Sequence, residues 1–445
     1  MSQRDHNLVP RDLDSFWMPF TASRNFKESP RFIVAADGMH YHDSEGNRLL
    51  DVSAGLWCVN AGHHRPSIND AIAAQLAELD FAHNFNSGHP HAFNFASRLV
   101  EHFPEPLNHV FLTNSGSESV DTALKIALAY HQHRGNGSRQ RLIGREKAYH
   151  GMGFGGISVG GLVKNRQSFG QLLPGTDHIR HTLDIERNAF SRGLPAHGVE
   201  YADDLQRLVD LHGADTIAAV IVEPVAGAGG VILPPQGYLE RLREICTQHD
   251  ILLIFDEVIT GLGRCGAATA ADALGVIPDM INMAKQLTNG LIPMGAVALR
   301  QDIYEAFMSV EQPKYGIELP HGYTYSAHPL GIAAAMATLD YIEQEDLLNQ
   351  SAVNAQRLER LIHELKGSRH VVDIRNFGLA GAIQLEPRDG DPLARPYEAG
   401  VALWQRDNYV RWGGDNLQFG PPFASTEQEL EQLFTQVGEV IEALD

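Results

Sequence analysis

From about residue 66 to residue 324, short runs of unbroken apolarity alternate with longer amphipathic stretches. The runs are His109–Leu112, Arg141–Gly144, Ile217–Glu223, Ile251–Asp256, Met280–Met283 and Ala296–Leu299. Apolarity without a period of two predicts strands buried on both faces, as in a parallel sheet covered by helices. Between two of them, Tyr238–Cys246 carries apolar residues at helical spacing, which makes the layout βαβ. Past about residue 330 the pattern changes. Helical stretches at Gly331–Tyr341 and Ala352–Leu365 are followed by strand candidates at Val371–Arg375 and Ala382–Leu385 and a last helix from about Glu427 to Leu444. Phe32–Ala35 and Met39–Tyr41 flank Asp37-Gly38 and predict a hairpin that could join this second part. The expected division is an α/β large domain over residues 66–324 and an α+β small domain from residues 1–65 and 325–445.

Composition adds constraints. The chain has 445 residues, 43% hydrophobic and 20% charged, enough for two or three cores. Its net charge of −20 argues against a nucleic-acid partner and makes any arginine near the chemistry of interest. Three cysteines, Cys58, Cys246 and Cys265, neither frame a disulfide scaffold nor show metal-ligand spacing. His63-His64, His89-Pro-His91 and His131-Gln-His133 lack carboxylate or cysteine companions at ligand spacing, so no metal is expected. Met1–His6 has no apolar core and no run reaches spanning length, so the expectation is cytoplasmic, without a membrane partner.

Two residues carry most of the chemical information. Asp256 ends the Ile251–Asp256 run, and Lys285 follows the next one in Met283-Ala-Lys285. Ligands of open α/β sheets bind outside the carboxyl ends of strands. An amine and a carboxylate there suit pyridoxal phosphate (PLP), the amine forming a Schiff base with the aldehyde and the carboxylate keeping the pyridine nitrogen protonated. Thr113-Asn-Ser-Gly-Ser-Glu118 follows a strand and opens a helix to about His133, which makes either a plain N-cap or an anion cradle. Tyr149, in Tyr149-His150-Gly151, is either a core aromatic or a ring to stack on a planar group.

In order along the chain, Ser115-Gly-Ser-Glu118, Tyr149-His-Gly151, Val222-Glu-Pro224, Phe255-Asp-Glu-Val258, Ala284-Lys285 and Tyr323-Thr-Tyr-Ser326 resemble class III PLP-dependent aminotransferases of fold type I. Val371–Gln384, Pro320–Pro329 and Tyr409–Gly414 resemble the ω-amino acid:pyruvate (β-alanine–pyruvate) branch. The resemblance runs from Trp17 to the last helix. It implies a mainly parallel seven-stranded sheet, a small domain built from both termini, PLP, and a homodimer with shared sites, with pairing into tetramers left open. It also implies roles. Lys285 is the Schiff-base lysine and Asp256 the partner of the pyridine nitrogen. Val258 and Tyr149 cover the two ring faces. Ser115, Gly116 and Ser117 cradle the phosphate, which Thr324 reaches from the other subunit. His150 and Ile259 fall with the cofactor-binding set, Trp57 and Phe85 line the pocket, and Arg411 reads the substrate carboxylate.

This chain departs from the wider class at Glu223-Pro-Val-Ala-Gly-Ala-Gly-Gly230. Class III enzymes that use 2-oxoglutarate commonly have Gln and Glu where Ala226 and Ala228 stand, and Gln where Ile259 stands. Those polar groups are gone, which fits pyruvate as acceptor. Glu223 is left with a structural or a cofactor-contacting role. The expected activity is transfer of an amino group from an ω-amino acid, β-alanine first, to pyruvate. Taurine, 4-aminobutyrate and diamines are alternative donors, and a same-fold aminomutase, decarboxylase or racemase is the rival chemistry. A non-enzymatic effector-sensing module fits poorly with the acidic charge.

Overall fold

The computed structural model describes residues 10 and 12–445, so the leader reading of Met1–His6 lies outside the described residues. Three antiparallel strands come first: β1 (Ile33–Asp37), β2 (His40–Asp43) and β3 (Arg48–Asp51). The β1–β2 turn is the expected hairpin, made at Gly38 with φ +51°. Seven strands then follow: β4 (Leu107–Thr113), β5 (Arg141–Arg145), β6 (Thr176–Ile179), β7 (Ile217–Val222), β8 (Leu252–Asp256), β9 (Met280–Met283) and β10 (Gly295–Arg300). They form one sheet in the order β4-β10-β9-β8-β7-β5-β6. Only β10 runs against its neighbours.

The apolar runs have a simple cause. Alternate residues of β7 enter different cores, Ala219 and Ile221 beside the helix Gly116–His133, and Val220 and Val222 beside the helix Tyr238–Gln248. A strand covered on both faces has no polar positions to show. Strand β6, Thr-Asp-His-Ile, was not among the expected runs, because it lies at the sheet edge and fully buries only Ile179.

The remaining strands are β11 (Val371–Phe377), β12 (Ala380–Leu385), β13 (Asn408–Tyr409), β14 (Arg411–Gly413) and β15 (Asn416–Phe419). Four of them form a sheet ordered β11-β12-β15-β14, whereas β13 pairs in parallel with β3 and so joins the two ends of the chain. The last helix, Glu427–Glu442, starts at a capping box of Thr426 and Glu429.

Several histidines serve as internal ties. His63 bonds Asp51 at 2.8 Å, His89 the Ala327 carbonyl at 2.8 Å, and His131 the Ala218 carbonyl at 3.0 Å. Among the described residues no helix is long and apolar enough to cross a membrane.

Candidate active site

Strands β4, β5, β7, β8 and β9 deliver their carboxyl ends to one side of the sheet, and the residues just beyond them meet there. Asp256 is the last residue of β8 and 5% exposed. Its Oδ2 is bonded to His150 Nδ1 at 2.7 Å, and its Oδ1 accepts from the Val258 N–H at 3.2 Å. His150 is itself buried and braces the carboxylate, and its Nε2 has no partner among the described residues.

Glu223 follows β7 and is buried. Its Oε1 accepts the Tyr149 N–H at 2.8 Å and its Oε2 the Gly227 N–H at 3.1 Å. Burial, opposed by nearby His150 and reinforced by Asp256, pushes its pKa up to about 7. This carboxylate therefore clamps the Tyr149 segment to the Ala226–Gly230 loop.

Lys285 lies two residues past β9 and opens a short 3-10 turn with φ +51°, a left-handed conformation that costs a lysine about 1–2 kcal/mol. Burial lowers its ammonium pKa, while Cys58, Asp256 and Glu223 oppose that shift and Arg411 adds to it. Desolvation thus favours the neutral, nucleophilic amine.

The helix Gly116–His133 begins at the end of β4, with Ser115 Oγ accepting the Glu118 N–H at 3.1 Å. The N–H groups of Gly116 and Ser117 find no acceptor among the described residues. A Cβ on Gly116 would come within 2.8 Å of Val258, and one on Gly151 within 2.4 Å of Ser117 Oγ. Helix start, Val258 and the Tyr149–Gly151 turn are therefore in contact, and only glycine leaves that cradle open.

The opposite wall comes from the chain ends. Ala54, Gly55, Leu56 and Trp57 all have φ between +44° and +73°, a left-handed turn. It is held by Asp51, which accepts the Gly55 N–H at 2.6 Å and the Ser53 N–H at 3.1 Å. The turn buries Trp57 in an apolar cluster with Ile259, Val225 and Val231. Beneath Trp57 lies Arg264, fully buried, 5.5 Å from that ring and 4.9 Å from Phe423. Arg264 donates to the carbonyls of Leu379 (3.0 Å) and Pro421 (2.7 Å) and to Asn60 Oδ1, and burial pushes its pKa down to about 9.

Arg411 opens β14, and its backbone N–H donates to Ser53 Oγ at 3.0 Å. Burial lowers its pKa against the opposing pull of Tyr409 and Tyr149. The arrangement joins an amine, a buried carboxylate, an open helix start and a guanidinium in one cleft.

The class-III aminotransferase family matches residues 21–441. The chain belongs to that family. It is 51% identical to the omega-amino acid–pyruvate aminotransferase of Pseudomonas putida, over 97% of this chain and 96% of that protein. It is also 51% identical to the beta-alanine–pyruvate aminotransferase of Pseudomonas aeruginosa, with the same coverage of each. Among solved structures, the PLP-bound amine transaminase from an uncultivated Pseudomonas species superposes with a TM-score of 0.89 at 35% identity, covering 97% of this chain and 99% of that one.

Two candidates of this aminotransferase lie apart from the cleft residues. Phe85 is exposed, its ring 3.1 Å from where a side chain at Gly322 would begin. Thr324, two residues after Gly322 in the same connection, is exposed too. That connection leans on the helix Gly116–His133, where Thr122 Oγ1 meets His321 Nε2 at 2.9 Å and Tyr323 OH at 3.2 Å.

Sequence reasoning missed Ser53, Arg264, Gln418 and the closeness of Cys58 to Lys285. None of them left a readable signal, and Gln418 in particular is placed opposite Arg411 by two strands too short to show a period.

Proposed function

We propose that this chain is a PLP-dependent transaminase that moves the amino group of an ω-amino acid, β-alanine first, to pyruvate, yielding alanine. The observation that carries the reading is the convergence of Lys285, Asp256 and the open helix start at Gly116 on one end of the sheet, beside Arg411. These residues fit the cofactor: the cradle that a Cβ would fill suits a phosphate, and a buried carboxylate braced by His150 suits a ring nitrogen. When bound, PLP withdraws electrons and acidifies the C–H beside the substrate nitrogen.

The protein's own residues supply the rest. Lys285 Nζ would hold the aldehyde, and the same amine would move the proton at the substrate carbon, as base and then as acid. Asp256, held in place by His150, would pair with the ring nitrogen. Gly116 and Ser117 would hold the phosphate with their backbone N–H groups at a helix N-terminus. Tyr149 and Val258 would cover the ring, with Tyr149 fixed by Glu223. Arg411 pairs with the substrate carboxylate, and Trp57 and Ile259 give the pocket an apolar wall. Ala226, Ala228 and Ile259 offer no polar group for a second substrate carboxylate, which supports pyruvate over 2-oxoglutarate.

The exposed turn of Thr324 and Phe85 supports a homodimer in which a second copy brings both residues to the neighbouring cleft. The test is a donor screen with pyruvate fixed, following alanine, alongside spectra of the purified protein. A yellow protein that produces alanine from β-alanine over many turnovers, and a Lys285→Ala variant that does not, are expected. A Lys285→Ala variant with undiminished turnover would refute the assignment.

A further inference from the structure

Arg411 on β14 pairs in register with Gln418 on β15. Directly opposed residues of an antiparallel pair project from the same face, so their side chains share one wall. Arg411 Nε donates to Gln418 Oε1 at 3.1 Å. Gln418 is 1% exposed, and its Nε2 points to the Ala228 carbonyl at 3.4 Å. The amide thus spans from the Ala226–Gly230 loop to the guanidinium. The base of this arm is firm. Arg375 Nε donates to the Gly230 carbonyl at 3.0 Å and its Nη2 to Asn416 Oδ1 at 2.6 Å, which ties the same loop to the start of β15.

The bond to Gln418 engages only the inner nitrogen of Arg411. Its Nη1 and Nη2 have no hydrogen-bond partner, and no carboxylate pairs with it, among the described residues. The titratable groups that act on it are Tyr409 and Tyr149, and Lys285 feels its charge. A neutral acceptor orients a cation without neutralising it. A carboxylate in the same place would form a charge-assisted pair and compete with any anionic ligand for the fork.

We propose that Gln418 is a positioning residue that sets carboxylate specificity: it holds Arg411 by Nε, keeps both outer nitrogens presented to the cleft, and by being neutral leaves their charge to the substrate. This deepens the transaminase reading and rests on Arg411 being its carboxylate reader.

The test compares the holoenzyme with Gln418→Glu and Gln418→Leu. Binding of propionate, which has the carboxylate of pyruvate without its keto group, is measured by calorimetry from pH 5 to 8, together with pyruvate kinetics. Gln418→Glu is expected to weaken propionate binding and raise KM for pyruvate about tenfold or more at pH 8. Its kcat should stay within about twofold, and the defect should persist from pH 8 down to pH 5, because pairing with Arg411 keeps the new carboxyl ionised. Gln418→Leu removes the tether without adding charge, and should raise KM about three- to tenfold at every pH. Reaction with an amine lacking a carboxylate should be unchanged in both. Unaltered propionate affinity in Gln418→Glu overturns the proposal, as does an equal loss for substrates with and without a carboxylate, which would make Gln418 a support of the hairpin alone. If the parent fails to use pyruvate, the transaminase reading falls instead, while the three propionate affinities still report on the Arg411–Gln418 pair.

Discussion

Glu223→Gln should change how stability depends on pH. Glu223 is buried and its pKa is raised to about 7 from an ordinary 4.5. A folded value above the unfolded one means that the stabilising contribution is complete below about pH 4.5 and is lost as pH rises toward 7. At about 1.4 kcal/mol per pH unit, that gap is worth about 3 kcal/mol. Glutamine never ionises, so the variant escapes this loss. It has its own cost, because Tyr149 and Gly227 both donate to Glu223 and an amide offers only one oxygen. The donor left facing an –NH2 group costs about 1–3 kcal/mol at any pH. Melting temperatures of cofactor-stripped parent and variant, measured from pH 4.5 to 8, isolate the effect, since other titrating groups cancel in the difference. The variant should be the less stable protein at pH 4.5 and should match or overtake the parent by pH 8. A difference constant across this range would mean that Glu223 is ionised throughout, and that its two amide donors outweigh burial.

Other outcomes follow from the geometry of the cleft. Arg411→Ala removes the charged partner of a desolvated carboxylate, a loss of about 2–5 kcal/mol, so kcat/KM for pyruvate should fall about 30- to several-thousand-fold while a single-turnover reaction with a carboxylate-free amine barely changes. Gly116→Ala would set a methyl 2.8 Å from Val258 and push that side chain into the ring space. Overpacking of about 1–3 kcal/mol should weaken PLP affinity measurably in a spectrophotometric titration, and unchanged affinity would remove Gly116 from the cradle. Thr324→Ala should lower PLP affinity about ten- to a hundredfold by deleting a hydrogen bond to a charged phosphate, and a fully active monomer in sedimentation would contradict the shared site. Pyruvate should exceed 2-oxoglutarate in kcat/KM as acceptor, and comparable values would show that Ala226, Ala228 and Ile259 do not control the choice.

Local chemistry makes the central sheet legible in the sequence. Strands β7, β8 and β9 are covered on both faces, so their burial is written directly into consecutive apolar residues, and Asp256 and Lys285 stand out where that apolarity stops. The turn Thr113–Glu118 announced a helix start in the same way. Strand β6 stayed hidden because an edge strand needs little apolarity, and β14 and β15 because their pattern is too short to show a period. The contacts that shape the cleft were beyond sequence reasoning for a different reason. His150 braces Asp256 from 106 residues away, Glu223 holds Tyr149 from 74, and Ser53 holds Arg411 from 358. No local propensity encodes such pairs, since each depends on where the sheet sets down two distant strand ends. The same holds for the neutral tether on Arg411 and for the left-handed turn that carries Trp57. Residue types alone leave Gln418 and Ala54–Trp57 unremarkable, and only the packing of the chain ends against the sheet gives the first a cation to orient and the second the hydrogen bonds that offset its strain.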